Sequence, residues 1–275
     1  HDDFIFPSNR IVAFKDFVHH HSNYYDDNGH GTHVCGIIAG NGKSSDGLYY
    51  GMAPNANLIV GKILDSSGNG SLQNILTAIR WIISLKNKYN IRILNISVGA
   101  ESTDVDEEKS ILVQSVNAAW DCGIVVVVAA GNNGPKRMSV TSPGISRKVI
   151  TVGSSDDHIA IVAGGNRIYN YSGRGPTRRM IPKPDIVAPG SGIFSCSPPI
   201  NGKYNGYTQR SGTSMATPIV SGAVALLLEK YPHLTNENVK YLLDNPQICE
   251  DMGRRAYELV TTEWNDENAA FKFLQ

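Results

Sequence analysis

Two short motifs, far apart in this 275-residue chain, contain residue types that could perform acyl transfer. His30 lies in residues 28–34, NGHGTHV, and Ser214 lies in residues 211–218, SGTSMATP. A serine hydroxyl becomes an effective nucleophile when a histidine accepts its proton. The two motifs therefore suggest a nucleophile and its base, if the fold brings them together.

Each motif has an ordinary interpretation when it is considered alone. A serine at the start of a helix is more often an N-cap than a nucleophile, and a lone histidine is usually a satisfied polar residue. Ser214, however, stands between the small residues Gly212 and Ala216, at the start of a predicted helix over 213–230. Small neighbours allow a substrate backbone to approach, and the free N–H groups of a helix N-terminus stabilise an oxyanion.

The order of the two residues along the chain limits the type of enzyme. His30 precedes Ser214, whereas the serine of an α/β-hydrolase precedes its histidine. The order agrees with both the trypsin and the subtilisin arrangements. The trypsin scaffold is all β, so the choice depends on the secondary structure.

The hydrophobic pattern predicts strands that alternate with helices. Strands are expected at 57–64, 91–98, 124–130, 148–153 and 185–188, and helices at 30–40, 71–85, 106–122, 213–230 and 235–244. The first three strands are apolar on both faces, which is typical of a parallel sheet covered by helices on both sides. The predicted fold class is therefore α/β with a mainly parallel sheet.

The composition favours one globular domain over 1–275 and excludes several functions. The chain is 41% hydrophobic and 18% charged, and its 25 basic residues equal its 25 acidic residues. The net charge is zero, so the composition gives no indication of nucleic-acid binding. The longest apolar runs, 123–130 and 223–228, fall short of the roughly 20 residues of a membrane span, so a soluble protein is expected. The four scattered cysteines favour free thiols, and both a cytoplasmic and a secreted location stay open.

A larger set of motifs resembles the subtilisin family of serine endopeptidases over residues 1–245. The strings, in chain order, are DDNGHGTHVCGIIAG, YGMAPNANLIVGKIL, ILNISVG, VVVVAAGNNGP, SPGISRKVITVGSSD, SGRGPT, KPDIVAPG and SGTSMATPIVSGAVALLL. The resemblance implies a three-layer α/β fold and polypeptide substrates. It also implies that Ser214 is the nucleophile, His30 the general base and acid, and Asn132 the oxyanion donor.

The same resemblance implies a cleft that binds an extended peptide by strand addition. Its two backbone walls would be Ser97, Val98 and Gly99 on one side and Gly68, Asn69 and Gly70 on the other. Ala129, Gly131 and Asn133 would line the pocket for the substrate side chain just before the cut bond. Leu72 and Ile75 would form the floor of an apolar pocket for a substrate side chain further upstream of the cut bond. The alternative is that both residues belong to ordinary helix core. Pro143 is expected to have a cis peptide bond beside the specificity pocket.

No cofactor is required by this chemistry, although family members often hold calcium in the loop that corresponds to 41–50. Asp46 is the one strong carboxylate there, and calcium needs several oxygen ligands, so Asp46 is a weak candidate. Cys35, five residues after His30, is expected to be a buried thiol without a catalytic role.

The chain departs from the family pattern at both ends. The family's aspartate ends a hydrophobic strand shortly before the position of His1, and no such strand precedes it here. Asp26 and Asp27 are too close to His30 along the chain to replace it. We therefore expect a slot in the sheet. The strand and the aspartate would come either from a cleaved N-terminal fragment of the same protein that stays bound, or from residues that directly precede His1 in an uncleaved chain. At the other end, 246–275 lacks the family's glycine-rich pattern and has no predicted packing.

Two alternatives to an active endopeptidase stay open from the sequence. One is a pseudoprotease that binds peptides without cleaving them. The other is an inactive fragment produced during maturation. The first differs from the protease hypothesis in whether Ser214 reacts with a serine-directed probe. The second is distinguished by mass spectrometry, which shows whether an N-terminal companion peptide is present.

Overall fold

Strands and helices alternate through most of the chain, which confirms the α/β prediction. The computed structural model describes residues 1–100, 107–155, 160–163, 166–198, 206–245 and 247. The strands are β1 (Ile11–Asp16), β2 (Leu58–Lys62), β3 (Ile93–Ile96), β4 (Val125–Ala129), β5 (Ile150–Ser154), β6 (Ile161–Ala163), β7 (Asn166–Ile168), β8 (Ile186–Ala188), β9 (Ile193–Ser197) and β10 (Gly206–Arg210). The α-helices are α1 (Asp2–Ile5), α2 (His30–Ala39), α3 (Leu72–Tyr89), α4 (Ile111–Asp121), α5 (Thr213–Lys230) and α6 (Asn236–Asp244).

Four parallel strands form the main sheet in the order β3-β4-β5-β8. Every residue of β4 is buried, because its run of four valines packs well on both faces of a covered sheet. Helix α5 packs across β3, β4 and β5, and α4 packs against α3 and β4. The main core therefore surrounds the strands whose carboxyl ends carry the candidate site.

Three smaller strand pairs flank this sheet. Strands β1 and β2 are parallel, whereas β6–β7 and β9–β10 are antiparallel. The β9–β10 pair packs against α2 through β9. None of β1, β6, β7, β9 and β10 is predicted from the hydrophobic pattern.

A slot separates the two parallel sheets. Within the described residues, β2 pairs only with β1 and β3 pairs only with β4, so their facing edges have no partner strand. A cavity of about 1090 Å³ lies along both strands and is also lined by α2, α3 and α5. The central residues of β2 and β3 are consequently only half-buried, unlike those of β4. The expected slot beside 57–64 is thus present.

Cys35 lines this slot and is not fully buried, so the prediction of a buried thiol is wrong in this respect. It lies in α2, one turn after His30, and packs near Cys196 and Leu58. Desolvation raises the pKa of its thiol to about 12, and the charge of Asp26 adds to the effect. The thiol is therefore a poor nucleophile at neutral pH.

Two predicted helices have different bounds in the structure. Residues 107–109 form a 3₁₀ turn, Ser110 has extended ψ, and α4 begins only at Ile111. The acidic side chain of Glu107 accepts a hydrogen bond from Arg178 N and so belongs to a tertiary contact rather than to a helix N-terminus. Helix α3 continues to Tyr89, where Asn90 ends it in the left-handed conformation.

Near its end the described chain agrees with the sequence, since Thr235 caps α6 through a capping box. Segment 246–275 lies outside the described residues, apart from residue 247. None of the helices described here is both long enough and apolar enough to cross a membrane.

The buried carboxylate of Asp16 connects the end of β1 to the next turn through hydrogen bonds. It accepts hydrogen bonds from Val18 N, His19 N, His21 N and the Tyr25 hydroxyl, at 2.8 to 3.2 Å. Burial alone would raise the pKa of Asp16, but these hydrogen bonds outweigh it and hold the pKa well below its usual value. The stabilisation is therefore present above the unfolded pKa of about 3.9 and is lost as the pH falls through the folded pKa.

The Asp16→Asn variant is expected to lower the free energy of unfolding at pH 7 by about 1.5–3 kcal/mol, because hydrogen bonds to a charged acceptor are lost. Urea unfolding monitored by circular dichroism measures the difference, which should shrink as the pH is lowered below about 4. The control is Asp121→Asn, whose exposed ion pair with Lys148 should contribute less than about 1 kcal/mol. Equal losses in both variants would contradict this role for Asp16.

Candidate active site

One cavity of about 650 Å³ is lined by His30, Asn132 and Ser214. The three residues come from different elements: His30 begins α2, Ser214 is the second residue of α5, and Asn132 follows β4. Val98 and Gly99, just beyond β3, form another wall. Ligand sites in parallel sheets gather at these carboxyl ends, because the loops there can vary without disturbing the core.

Ser214 lies in the first turn of α5, where backbone N–H groups have no partner within the helix. Gly212 precedes the helix with φ of +147°, and a Cβ atom there would lie 3.2 Å from Asn132 Nδ2. The absence of a side chain at Gly212 therefore keeps the serine and the amide close together. In this structure the Ser214 hydroxyl donates to Ser97 O at 2.9 Å.

The side-chain amide of Asn132 is held in one orientation by Thr213. Asn132 Oδ1 accepts hydrogen bonds from Thr213 N at 3.0 Å and from the Thr213 hydroxyl at 3.1 Å. Because the oxygen is occupied by two donors, the Nδ2 group is the end left to donate, and no described residue accepts from it. This is the arrangement needed to stabilise a negative charge that develops beside Ser214.

Sequence reasoning missed this role of Thr213, although the residue lies inside the SGTSMATP motif. The Thr213 side chain is fully buried, and Gly131 N donates to its hydroxyl at 3.2 Å. A buried threonine at the first position of a helix was the available signal. Its partners, however, are separated from it by more than 80 residues of sequence, so only the fold reveals them.

The imidazole of His30 has no hydrogen-bond partner among the residues that the structure describes. Burial lowers its pKa, the charge of Arg210 lowers it further, and the charge of Asp26 opposes both effects. A lowered pKa keeps the imidazole neutral near pH 7, which is the form that can accept a proton. Its orientation, in contrast, is not fixed by any hydrogen bond in the described chain.

The two aspartates just before His30 are engaged with other partners. The Asp26 carboxylate accepts from Asn28 N, Gly29 N, Thr32 N and the Thr32 hydroxyl, at 2.7 to 3.0 Å. Asp27 forms an ion pair of 2.7 Å with Lys62. Neither carboxylate is available to orient the His30 ring.

The second histidine of the NGHGTHV motif has a different position from the first. His33 is fully buried, and its Nε2 atom lies 3.1 Å from both Ile193 O and Thr208 O. Burial lowers the pKa of this ring to about 4. His33 therefore ties α2 to the β9–β10 pair as a neutral side chain, and His30 is the histidine that reaches the cavity.

The predicted peptide cleft corresponds to the walls of the same cavity. Gly68, Asn69 and Gly70 lie on one side, and Val98 and Gly99 on the other. Ser97 contributes its carbonyl to Ser214 instead of lining the cavity. Ala129, Gly131 and Asn133 line the part beside Asn132, together with Thr141 and Pro143, which the sequence analysis did not assign to the lining. The Ser142–Pro143 peptide bond is cis, as predicted.

Leu72 and Ile75 lie at the apolar end of the cavity. Both line the cavity, and the Leu72 side chain is 48% exposed, so it is not ordinary helix core. Ile75 also packs against the main core, and Leu112 completes this apolar wall. An apolar substrate side chain would fit here.

The candidate calcium loop is organised around Asp3 rather than around Asp46. The buried Asp3 carboxylate accepts from Gly42 N at 3.2 Å and from Ser44 N at 3.0 Å, whereas Asp46 is exposed. In the described chain, the one group of potential metal ligands is His1, Asp3 and Cys196. Tyr207 and Cys196 also donate to Asp3, so donors already occupy its oxygens.

Comparisons with known proteins agree with the geometry of the site. The model of the subtilase family matches residues 8–264. The serine protease AprX of Bacillus subtilis (strain 168) is 42% identical, over 94% of this chain and 58% of its own length. Subtilisin DY of Bacillus licheniformis is 35% identical, over 86% of this chain and 76% of its own. The structure of sphericase superposes with a TM-score of 0.68 at 32% identity, over 83% of this chain and 74% of that one.

Proposed function

Because this chain belongs to the subtilase family, we propose that it provides most of the active site of a serine endopeptidase. The chain spans little more than half of AprX, so the activity of the whole protein is part of the proposal. Its main support is that Ser214 and His30 share one cavity with the Asn132 amide. Thr213 donates two hydrogen bonds to Asn132 Oδ1, which leaves the Nδ2 group to donate to a substrate. Polypeptides are the proposed substrates.

Hydrolysis would proceed through an acyl-enzyme on Ser214. His30 accepts the proton as the Ser214 hydroxyl attacks the peptide carbonyl, and Asn132 Nδ2 donates to the oxyanion that forms. His30 then passes the proton to the departing amine. In the second half, His30 takes a proton from water as the water attacks the acyl group, and it returns this proton to Ser214 Oγ as the carboxylic acid product leaves. The hydrogen bond from Ser214 to Ser97 O must be exchanged for one to His30 before the first step.

We further propose that the slot between β2 and β3 holds a strand from the N-terminal part of the same protein. Both edges are parallel strands without a partner in the described chain, and the lining of the cavity is mainly apolar. Unpaired backbone groups in the interior are costly, so such edges favour an occupant that pairs with both. A short apolar strand, parallel to β2 and β3, meets this requirement.

The same strand is proposed to carry the aspartate that orients His30. His30 lines the slot as well as the cavity at Ser214, so a side chain at the end of the inserted strand could reach the imidazole. The ring has no other acceptor for its second nitrogen in the described chain. A carboxylate there would select the tautomer that can accept the serine proton.

The Asn132→Leu variant of the full protein is expected to lower kcat for a peptide by about 10²- to 10³-fold, with little change in KM. This is the loss seen when a subtilisin loses its oxyanion amide, so the magnitude comes from a relative. A fluorescence-quenched peptide measures both constants. Asn87→Leu, on the exposed side of α3, is the matched control and should keep full activity. A kcat within threefold of the unmodified protein would contradict the role of Asn132.

A further inference from the structure

The guanidinium of Arg210 lies beside His30 without a carboxylate partner among the described residues. Arg210 ends β10, and its Nη2 donates to Asn28 O at 3.0 Å. The same nitrogen lies so close to Gly29 that a Cβ atom there would be only 2.9 Å away. The side chain is half-buried, and its charge acts on the neighbouring His30 ring.

The carboxylates nearest in sequence to His30 do not neutralise this charge. Asp26 already accepts four hydrogen bonds from its own loop, and Asp27 pairs with Lys62. A guanidinium has five N–H donors in a planar fork. In the described chain, Arg210 uses this fork for one carbonyl, Asn28 O, so most of its donors are left for a ligand.

Arg210 lies outside the cavity that would hold the acyl part of a substrate. That cavity is lined by Asn28 and His30 but not by Arg210 or Pro198, which both approach Gly29. The acyl part would lie beside Asn132, whereas His30 must reach the departing amine as a general acid. The first residue after the cut bond must therefore pass close to His30, and the Arg210 guanidinium approaches Gly29, the residue directly before His30.

We propose that Arg210 makes the enzyme prefer an acidic side chain, aspartate or glutamate, directly after the cut bond. This proposal rests on the proposed endopeptidase function and adds a substrate preference to it. A carboxylate can accept two parallel N–H bonds from a guanidinium, which a neutral or basic side chain cannot. The partly buried position reduces screening by salt relative to an exposed pair.

The test uses the full protein and three fluorescence-quenched peptides that are amidated at the C-terminus and differ only after the cut bond, with Glu, Gln or Lys. We expect kcat/KM to fall in that order, with Glu about five- to twentyfold above Lys. The Arg210→Gln variant should lower the ratio of kcat/KM for the Glu peptide to that for the Gln peptide to near one. Any change in the His30 pKa that follows from loss of the Arg210 charge acts on both peptides alike and leaves this ratio unaltered. Raising the salt concentration should reduce the preference of the unmodified protein.

Gln209→Glu is the matched control, because it also lowers the net charge by one and lies next to Arg210 on the exposed side of β10. It should keep the preference for Glu. Equal ratios for the unmodified protein and Arg210→Gln, with all peptides cleaved, would overturn the Arg210 proposal alone. Failure to cleave any peptide would overturn the endopeptidase function and the Arg210 proposal together.

Discussion

Replacing Ser214 with alanine is expected to lower kcat of the full protein by about 10⁶-fold, the loss known for a subtilisin without its nucleophile. The thiol of Cys35 is not expected to replace this nucleophile, since Cys35 lies in the slot and burial raises its pKa. Hydrolysis of a quenched peptide, followed to low rates with concentrated protein, measures the change. Affinity for the peptide should be retained, because the walls of the cavity are unaltered.

The matched control is Ser84→Ala, whose exposed hydroxyl donates to Trp81 O within α3 and lies outside both cavities. Equal unfolding midpoints for the two variants would exclude misfolding as the cause of lost activity. A Ser214→Ala protein with more than about 1% of the original kcat would contradict a serine acyl-enzyme. Peptide binding without cleavage by the unmodified protein would instead favour the pseudoprotease alternative.

Residues 1–275 prepared alone are expected to turn over a peptide about 10⁴-fold more slowly than the full protein. The reason is that the aspartate of a serine triad fixes the tautomer and orientation of its histidine, and its loss costs about that much. In the described chain the His30 ring has no such partner, and the slot beside it is open. The comparison requires kcat for the same quenched peptide with both proteins.

Cys35 gives an independent measure of whether the slot is filled. It lines the slot, whereas Cys122 is exposed elsewhere on the surface. A maleimide should modify Cys122 quickly in both proteins. Prolonged incubation should modify Cys35, whose raised pKa makes it slow to react, in residues 1–275 alone but not in the full protein. Modification of Cys35 at equal rates in both proteins, together with equal kcat values, would contradict the inserted strand.

The elements that the sequence predicts well are those with a strong local signal. The all-apolar run of β4 and the long apolar helix α5 appear within one residue of their expected bounds, and they carry Asn132 and Ser214. The predicted start of α4 is wrong. The acidic residues at 107–108 resemble a helix N-terminus, but the Glu107 side chain accepts a hydrogen bond from a distant loop. Local pattern cannot distinguish those two uses of a carboxylate.

Non-local contacts account for most of what the sequence does not predict. The strands β9 and β10 have mixed polar sequences, and their pairing is stabilised from outside by His33, about 160 residues away from Ile193. The orienting role of Thr213 and the position of Arg210 beside His30 likewise depend on residues distant in sequence. In each case the residue is visible in the sequence, and only its partner is not.

A fluorophosphonate probe, followed by peptide mapping of the full protein by mass spectrometry, tests directly whether Ser214 is an activated nucleophile. The structure predicts one adduct, on Ser214, that forms rapidly in the unmodified protein, slowly in His30→Ala and not in Ser214→Ala. No adduct, or an adduct on another serine, would contradict the proposed active site.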